Sequence, residues 1–182
     1  MSNKTPDAIN TSAAIPNAEA LLETLATNLQ ERLQQSEISA PYLVGVATGG
    51  VWVARRLHKM LALEGDAGII SSNYYRDDFD RNGLHPRLET TQLSDVTDRH
   101  VVLVDDVLHT GRTVRATLNE LFDFGRPASV MLAVLADRGG RELPVCADVA
   151  AWSGELASGQ SLRLTGPEPL QLILKNSSEG AK

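Results

Sequence analysis

The chain has 182 residues, of which 42% are hydrophobic and 22% charged, and its formal net charge is -6. These values suit one folded domain with a sizeable core and exclude a largely disordered chain. The acidic balance provides no overall attraction for nucleic acid, and a single cysteine, Cys146, excludes an internal disulfide and a cysteine-based zinc site. No apolar run approaches the ~20 residues of a membrane span, so we expect a cytoplasmic protein with no membrane partner.

The beginning of the chain predicts an arm followed by an amphipathic helix. Residues 1–16 are polar and are expected to be flexible, the domain to span 17–174, and residues 175–182 to form a disordered tail. Asn17 is a candidate helix cap. Leucines follow it at the spacing of one helical face: Leu21, Leu25, Leu29 and Leu33.

The next segments alternate between strand and helix patterns. The apolar run PYLVGVA predicts a strand that leads into a tight TGG loop. A helix is expected after it, ending at Gly65. The apolar face of this helix comprises Val53, Leu57, Met60 and Leu61. GIISSNYY predicts another strand, and the long polar stretch that follows is typical of a functional or mobile connection.

The second half of the chain continues this alternation. VVLV predicts a buried strand, a helix is expected to end before Gly125, and SVMLAVLA predicts a strand ending at Asp137, with short edge strands after it. The apolar face of the helix comprises Val114, Leu118, Leu121 and Phe122. Because unbroken apolar strands alternate with helices, we predict an α/β fold with an open, mainly parallel sheet and helices on both faces.

Two adjacent carboxylates end the apolar run in the stretch VVLVDDVLHTGRT, Val101 to Thr113. In open α/β sheets, ligands bind beyond the carboxyl ends of the strands, where we expect Asp105 and Asp106. Two like charges this close disfavour each other's ionisation, so they need a cation or hydroxyl donors. A ribose diol donates such hydroxyls, and Mg²⁺ bridges them to phosphate. The pattern therefore predicts a ribose site.

A candidate phosphate loop follows these carboxylates directly. The small residues Thr110 and Gly111 let successive backbone N–H groups turn toward one point, and a helix N-terminus follows at once. Amide donors, hydroxyls and the helix dipole together bind phosphate at such a point. Capping alone explains single residues of this type. The whole string favours the binding of a sugar phosphate, with the diol and the phosphate bound side by side.

The string VVLVDDVLHTGRT resembles the motif that binds phosphoribosyl pyrophosphate (PRPP) in type I phosphoribosyltransferases. A longer stretch resembles the PyrR family in particular: VLHTGRTVRATLNELFDFGRPASVMLAVLADRGGRELP. The resemblance runs from about Leu43 to Asp148 and includes LVGVATGGVWVARRL and YYRDDF. PyrR proteins are uracil phosphoribosyltransferases that in some bacteria also regulate pyrimidine operon mRNA. The resemblance implies the type I fold with a small hood of short strands, a homo-oligomer, and Mg²⁺-dependent conversion of uracil and PRPP to UMP and pyrophosphate.

The resemblance also implies roles for individual residues. Asp105 and Asp106 match the residues that take the ribose hydroxyls, directly or through Mg²⁺. The residues that match the 5-phosphate loop are Thr110, Gly111, Arg112 and Thr113. Those that match the pyrophosphate loop are Thr48, Gly49 and Gly50. Those that match the start of a closing loop are Tyr75, Arg76 and Asp77, and those at the base pocket are Asp137, Arg138 and Gly139.

Two positions depart from the family pattern or narrow it. Many relatives carry Arg where this chain has Gly49, and the lost charge-assisted contact is worth about 1.5–3 kcal/mol unless another cation such as Arg76 replaces it. Purine-specific relatives place a carboxylate where this chain has His109, which argues against a purine base. His109 is either a base toward uracil or a structural donor, and both interpretations remain open. The candidate catalytic residues are Asp105, Asp106, His109 and Arg76.

An alternative function is a weakly catalytic or non-catalytic sensor of UMP or PRPP that binds pyrimidine operon leader RNA. RNA binding requires a basic face. The basic residues available for it are Arg55, Arg56, Lys59, Arg115, Arg126 and Arg141, and they do not form a run longer than two. The resemblance therefore implies RNA regulation, while the charge pattern gives it little support.

Two further patterns compete with this interpretation. The segment DFDRNGLHPRLE fits a calcium-binding loop, with Asp78, Asp80, Asn82, Gly83 and Glu89 at the ligand positions. The β-like segment before it does not supply the entering helix that such a loop needs. Phosphorylation receiver domains also use paired aspartates, but they carry them after the first strand, whereas about 100 residues precede this pair.

Overall fold

The computed structural model describes residues 17–71 and 90–176, which contain a parallel five-stranded sheet in the order β2-β1-β3-β4-β5. These strands are β1 (Pro41–Val46), β2 (Gly68–Ile70), β3 (His100–Leu108), β4 (Ser129–Asp137) and β5 (Val149–Ser153). The helices are α1 (Ala18–Gln35), α2 (Gly49–Met60) and α3 (Arg112–Leu121). An antiparallel pair, β6 (Gln160–Thr165) and β7 (Gln171–Asn176), forms the hood.

The predicted cap and apolar face of α1 are both confirmed. Asn17 Oδ1 accepts the backbone N–H groups of Glu19 at 2.8 Å and Ala20 at 3.3 Å, which satisfies two donors of the first turn. The buried leucines of this helix are Leu21, Leu22, Leu25, Leu29 and Leu33. Their spacing places them on one face, so α1 packs as a single apolar surface.

The two faces of the sheet are covered by different helices. Val102 and Val104 of β3 belong to the core cluster shared with α1 and α2. Val101 and Leu103 belong to the cluster shared with α3. Because successive side chains of a strand alternate between faces, one apolar strand contributes to both cores. The predicted parallel sheet with helices on both sides is confirmed.

Three element ends differ from the sequence-based boundaries. Helix α2 ends at Met60, which is 44% exposed, and Leu61 follows as the cap residue, packed against the core shared with α1. Helix α3 ends at Leu121, and Phe122 begins a short 3-10 turn and is 54% exposed instead of joining the apolar face. Strand β7 stays paired through Asn176, beyond the end predicted at residue 174. Among the described residues, none of the helices has the length and apolarity to cross a membrane.

The hood is attached to the helical layer through Glu19. The Glu19 carboxylate accepts Arg56 Nη2 of α2 at 2.7 Å and the backbone N–H of Leu170 at 3.0 Å. Leu164 and Leu170 are buried in the core shared with α1 and α2. One carboxylate therefore links α1, α2 and the turn between β6 and β7, and apolar burial completes the attachment.

We expect Glu19→Gln to lower the free energy of unfolding by about 0.5–1 kcal/mol at neutral pH, because the side chain is 37% exposed and solvent weakens the ion pair. Hydrogen bonds from Arg56 and Leu170 hold the pKa of Glu19 below its ordinary value of 4.5. The stabilisation is therefore present above pH 4.5 and is lost as the pH falls through the lowered pKa.

Urea unfolding at neutral and at acidic pH measures this difference. Glu23→Gln, on an exposed position of the same helix, is the matched control and should unfold like the parent protein. Equal losses for the two variants would show that the Glu19 contacts do not anchor the hood.

Candidate functional site

The predicted functional residues lie along one edge of the sheet. Strands β1, β3 and β4 are neighbours and run parallel, so their carboxyl ends meet there. Strand β1 leads into Thr48–Gly50, β3 carries Asp105 and Asp106 and leads into the loop 109–113, and β4 ends at Asp137. The fold therefore brings three separate sequence segments to one place, as expected of ligand sites in open α/β sheets.

The first segment turns directly into helix α2. The Ala47–Thr48 peptide is cis, and Gly49 and Gly50 are the first two residues of the helix. A Cβ atom on Gly50 would collide with the carbonyl oxygen of Val104, and one on Gly49 would collide with the carboxylate of Asp106. Gly50 requires glycine because the colliding atoms belong to the backbone of β3, whereas a side chain at position 49 would require the Asp106 carboxylate to move.

The two aspartates lie inside β3, which continues to Leu108, and not after its end as the sequence pattern indicated. The reason is that β3 loses one neighbour before the other: its pairing with β1 ends at Val104, whereas its pairing with β4 continues to Leu108. The aspartates are therefore held by β4 on one side and open toward the N-terminus of α2 on the other.

Asp105 and Asp106 occupy different environments. Asp105 is 4% exposed, and its Oδ1 accepts the backbone N–H of Asp106 at 2.9 Å. Asp106 is partly exposed and lies against Gly49. Because adjacent side chains of a strand point to opposite faces, the carboxylates are not equivalent. Asp106 is the one placed to contact a ligand at the α2 N-terminus, and Asp105 supports the backbone beside it.

The second segment forms a tight loop at the N-terminus of α3. Gly111 adopts φ 88°, a left-handed conformation that favours glycine, and α3 begins at Arg112. Thr110 Oγ1 accepts the Arg112 N–H at 3.3 Å, and Thr113 is the second residue of the helix. The N–H groups at the start of a helix have no partner within the helix, so this end attracts anions.

His109 and Arg138 contact each other between the second and third segments. Arg138 Nη2 lies 2.8 Å from Nε2 and 3.2 Å from Nδ1 of His109. Because a guanidinium group has only donors, the histidine nitrogen that it contacts must be unprotonated. Desolvation, and then the positive charge of Arg138, lower the pKa of His109 below its ordinary value of 6.5. The ring is thus neutral and its acceptor atom is already engaged.

The third segment folds back over the phosphate loop. Both carboxylate oxygens of Asp137 have donors, because Oδ1 accepts the Gly139 N–H at 3.0 Å and Oδ2 accepts Arg141 Nη2 at 2.5 Å. Arg112 Nε donates to Glu142 Oε2 at 2.6 Å. Sequence reasoning counted Arg141 among the basic residues available to RNA and did not identify Glu142. The Arg112–Glu142 pair has no local sequence signal because its members are 30 residues apart, whereas Asp137 and Arg141 are four residues apart in one segment.

Residues 11–154 match the model of the phosphoribosyl transferase domain. The bifunctional protein PyrR of Nitrosococcus oceani is 51% identical to this chain over 162 residues, covering 87% of this chain and 92% of that protein. The bifunctional protein PyrR of Pseudomonas paraeruginosa is 47% identical over 163 residues, covering 89% and 96%. The chain belongs to the PyrR family. The predicted family is confirmed.

Solved structures of phosphoribosyltransferases share the fold of this PyrR-family chain. A hypoxanthine-guanine phosphoribosyltransferase of Leishmania tarentolae superposes with a TM-score of 0.59 at 18% identity, over 80% of this chain and 83% of that one. A purine phosphoribosyltransferase of Pyrococcus horikoshii superposes with a TM-score of 0.57 at 25% identity, over 74% and 84%. At 18% identity, the similarity to the Leishmania tarentolae structure shows the fold and does not indicate which base this chain uses.

Several predicted residues lie outside the described part of the chain. They are Tyr75, Arg76 and Asp77 of the expected closing loop and Asp78, Asp80, Asn82, Gly83 and Glu89 of the calcium-loop pattern. Within residues 17–71 and 90–176, no three histidine, cysteine or acidic side chains come together as a metal site. The described carboxylates at this sheet edge include the pair in β3 and Asp137 at the end of β4.

We expect NMR titration of His109 to give a pKa below 6.5, and Arg138→Gln to raise that pKa by removing a neighbouring positive charge. Because the folded-state pKa is lowered, stability is full above pH 6.5 and declines as the pH falls toward the folded-state value. His109→Gln removes this decline and also assigns the ring signals. An unchanged His109 pKa in Arg138→Gln would contradict the proposed contact.

Proposed function

We propose that the protein transfers the phosphoribosyl group of PRPP to uracil, forming UMP and pyrophosphate. The observation that carries the proposal is that four binding segments meet at one edge of the sheet. The N-terminus of α2, the β3 carboxylates, the N-terminus of α3 and the loop after β4 lie beside one another. PRPP carries pyrophosphate on C1 and phosphate on C5 of one ribose, and the acceptor base bonds to C1 as pyrophosphate leaves, so these four groups need binding segments that surround one sugar.

In this proposal each segment binds one part of the substrates. Asp105 and Asp106 serve the ribose hydroxyls, with Asp106 as the contacting carboxylate. The pyrophosphate segment comprises Thr48, Gly49 and Gly50. The 5-phosphate segment comprises Thr110, Gly111, Arg112 and Thr113. Asp137 and Arg138 border the base, and because both oxygens of Asp137 already accept protein hydrogen bonds, its carboxylate shapes the pocket instead of reading the base.

The residues present fit Mg²⁺ as a cofactor shared with the substrate. Magnesium is commonly held by one or two carboxylates together with substrate oxygens, and the β3 pair offers that donor set. Asp106, which has the more accessible carboxylate, would hold the ion, and Asp105 would support it by accepting the Asp106 N–H. When bound, the ion neutralises negative charge that develops on the departing pyrophosphate.

The protein's own groups supply the remaining stabilisation. Cleavage of the anomeric bond develops positive charge on the ribose ring, which the Asp106 carboxylate stabilises, and negative charge on pyrophosphate, which the α2 N-terminus stabilises. Gly49 leaves the latter segment without the arginine of many relatives, and Arg76 is our candidate for the missing cation. His109 acts here as an acceptor that orients Arg138, because its Nε2 atom is engaged at 2.8 Å.

We expect UMP formation from uracil and PRPP in the presence of Mg²⁺, and little or no product from cytosine, hypoxanthine or orotate. Chromatographic separation of the nucleotides after parallel reactions measures this preference. Turnover with hypoxanthine in place of uracil would overturn the assignment of the base. An absence of turnover with PRPP or UMP still bound would favour the nucleotide-sensing alternative.

We expect Asp105→Asn combined with Asp106→Asn to abolish PRPP binding and leave the fold intact, because both changes preserve side-chain size. Calorimetric titration with Mg²⁺ and PRPP, together with thermal unfolding, measures the two effects. Asp123→Asn, on the exposed 3-10 turn after α3, is the control. PRPP affinity equal to that of the control would refute the assignment of the β3 carboxylates.

A second function is favoured by the name of the relatives, which calls them bifunctional. We propose that the chain also binds pyrimidine operon leader RNA, acts in the cytoplasm and forms a homo-oligomer. The basic surface is smaller than the sequence indicated, since Arg56 pairs with Glu19 and Arg141 with Asp137. A gel shift of leader RNA that weakens with salt would support RNA binding. Size-exclusion chromatography with light scattering tests the oligomer.

A further inference from the structure

The guanidinium group of Arg141 joins three separate segments. Its Nη2 atom donates to Asp137 Oδ2 at 2.5 Å, at the end of β4. Its Nη1 atom donates to the backbone carbonyl of His109 at 2.6 Å, at the start of the phosphate loop. Its Nε atom donates to the carbonyl of Val145 at 2.9 Å, on the way to β5. All three guanidinium nitrogens are therefore used, and the side chain is only 22% exposed.

The contact with His109 fixes the direction of a neighbouring amide. The carbonyl of His109 and the N–H of Thr110 belong to one planar peptide group, in which the C=O and N–H bonds of a trans peptide point in opposite directions. Holding the carbonyl toward Arg141 consequently turns the Thr110 N–H away from the 137–145 loop. This N–H lies two residues before Arg112, the first residue of α3, whose first amides are donors as well.

The next peptide is held in the same way by backbone groups. The carbonyl of Thr110 accepts the N–H groups of Glu142 at 3.0 Å and Leu143 at 3.1 Å, which turns the Gly111 N–H away from the same loop. Within the part of the chain that the structure describes, the N–H groups of Thr110 and Gly111 have no protein acceptor in the hydrogen-bond network. Two consecutive amides are thus oriented as donors for a ligand.

We propose that Arg141 is a positioning residue for the 5-phosphate: it orients the Thr110 amide through the His109 carbonyl and, through Asp137, ties the phosphate loop to the base loop. This inference rests on the proposed function. Arg141 touches neither substrate. It holds the phosphate donors at a fixed distance from the base pocket, so that the phosphate and the base of one nucleotide are bound at the same time.

The decisive comparison is the affinity for UMP relative to uridine, because the two ligands differ only in the phosphate. Arg141→Met keeps most of the side-chain stem and removes all three donors. We expect it to reduce the UMP preference by about tenfold, the lower range for loss of one charge-assisted hydrogen bond, while the affinity for uridine changes little. Arg163→Met, at an exposed position of β6, is the matched control and should leave the ratio unchanged.

Arg141→Lys provides a second test if Arg141→Met is poorly folded. A lysine keeps the charge, but its single ammonium cannot reach Asp137, His109 and Val145 together. We expect a smaller fall in the UMP preference, with thermal stability close to that of the parent protein. A ratio unchanged in folded Arg141→Met, or equal losses of UMP and uridine affinity, would overturn the positioning role.

Amide NMR separates this proposal from the assignment of uracil as the base. The probe is inorganic phosphate, which requires no base. We expect it to shift the Thr110 and Gly111 amide signals of the parent protein, and to shift Thr110 much less in Arg141→Met. If the parent protein prefers neither UMP nor uracil but shows this difference, the proposed base fails and the role of Arg141 stands. Equal Thr110 shifts in both proteins would overturn that role.

Discussion

The N-terminus of α2 lies against β3 at a distance that leaves no room for a Cβ atom. At Gly50 the added atom would collide with the Val104 carbonyl, and at Gly49 with the Asp106 carboxylate. This close approach depends on the parallel pairing of β1 with β3, which ends at Val104 and leaves the following carboxylate open toward the helix. The pyrophosphate and ribose segments of the proposed site therefore form one contact surface, and a change in either alters the other.

Gly49 is also the position at which this chain departs from the family pattern. An arginine at position 49 would need space that the Asp106 carboxylate occupies in this structure. Gly49 is thus part of the local packing as well as a missing charge. In the proposed site, the helix dipole of α2 and Mg²⁺ bound together with the substrate would supply positive potential at the pyrophosphate segment. The site consequently depends more on backbone donors than a site with a pyrophosphate arginine does.

Polar contacts on the other side of the site connect the phosphate loop to the loop after β4. Arg138 contacts the His109 ring, Arg141 contacts the His109 carbonyl, and Glu142 contacts Arg112. Desolvation, and then the charge of Arg138, lower the pKa of His109. Arg141 holds the His109 carbonyl, and the backbone N–H groups of Glu142 and Leu143 hold the Thr110 carbonyl. Side-chain and backbone groups of the loop after β4 thus hold both peptides at the end of β3, and these contacts join the two loops.

The sequence by itself determined the class of fold and the kind of ligand. Strand and helix periodicities are local, so α1, β1 and β4 were predicted where they occur, whereas β3 was predicted to end before the two aspartates that it contains. The stretch VVLVDDVLHTGRT carries the carboxylates and the candidate phosphate loop together. Only the tertiary structure decided the role of Arg141, whose acceptor at His109 is 32 residues away, and the dependence of Asp106 on Gly49. The physical reason is that a charged side chain takes the partners that parallel strands bring to the same edge, and no local pattern records which loops will meet there.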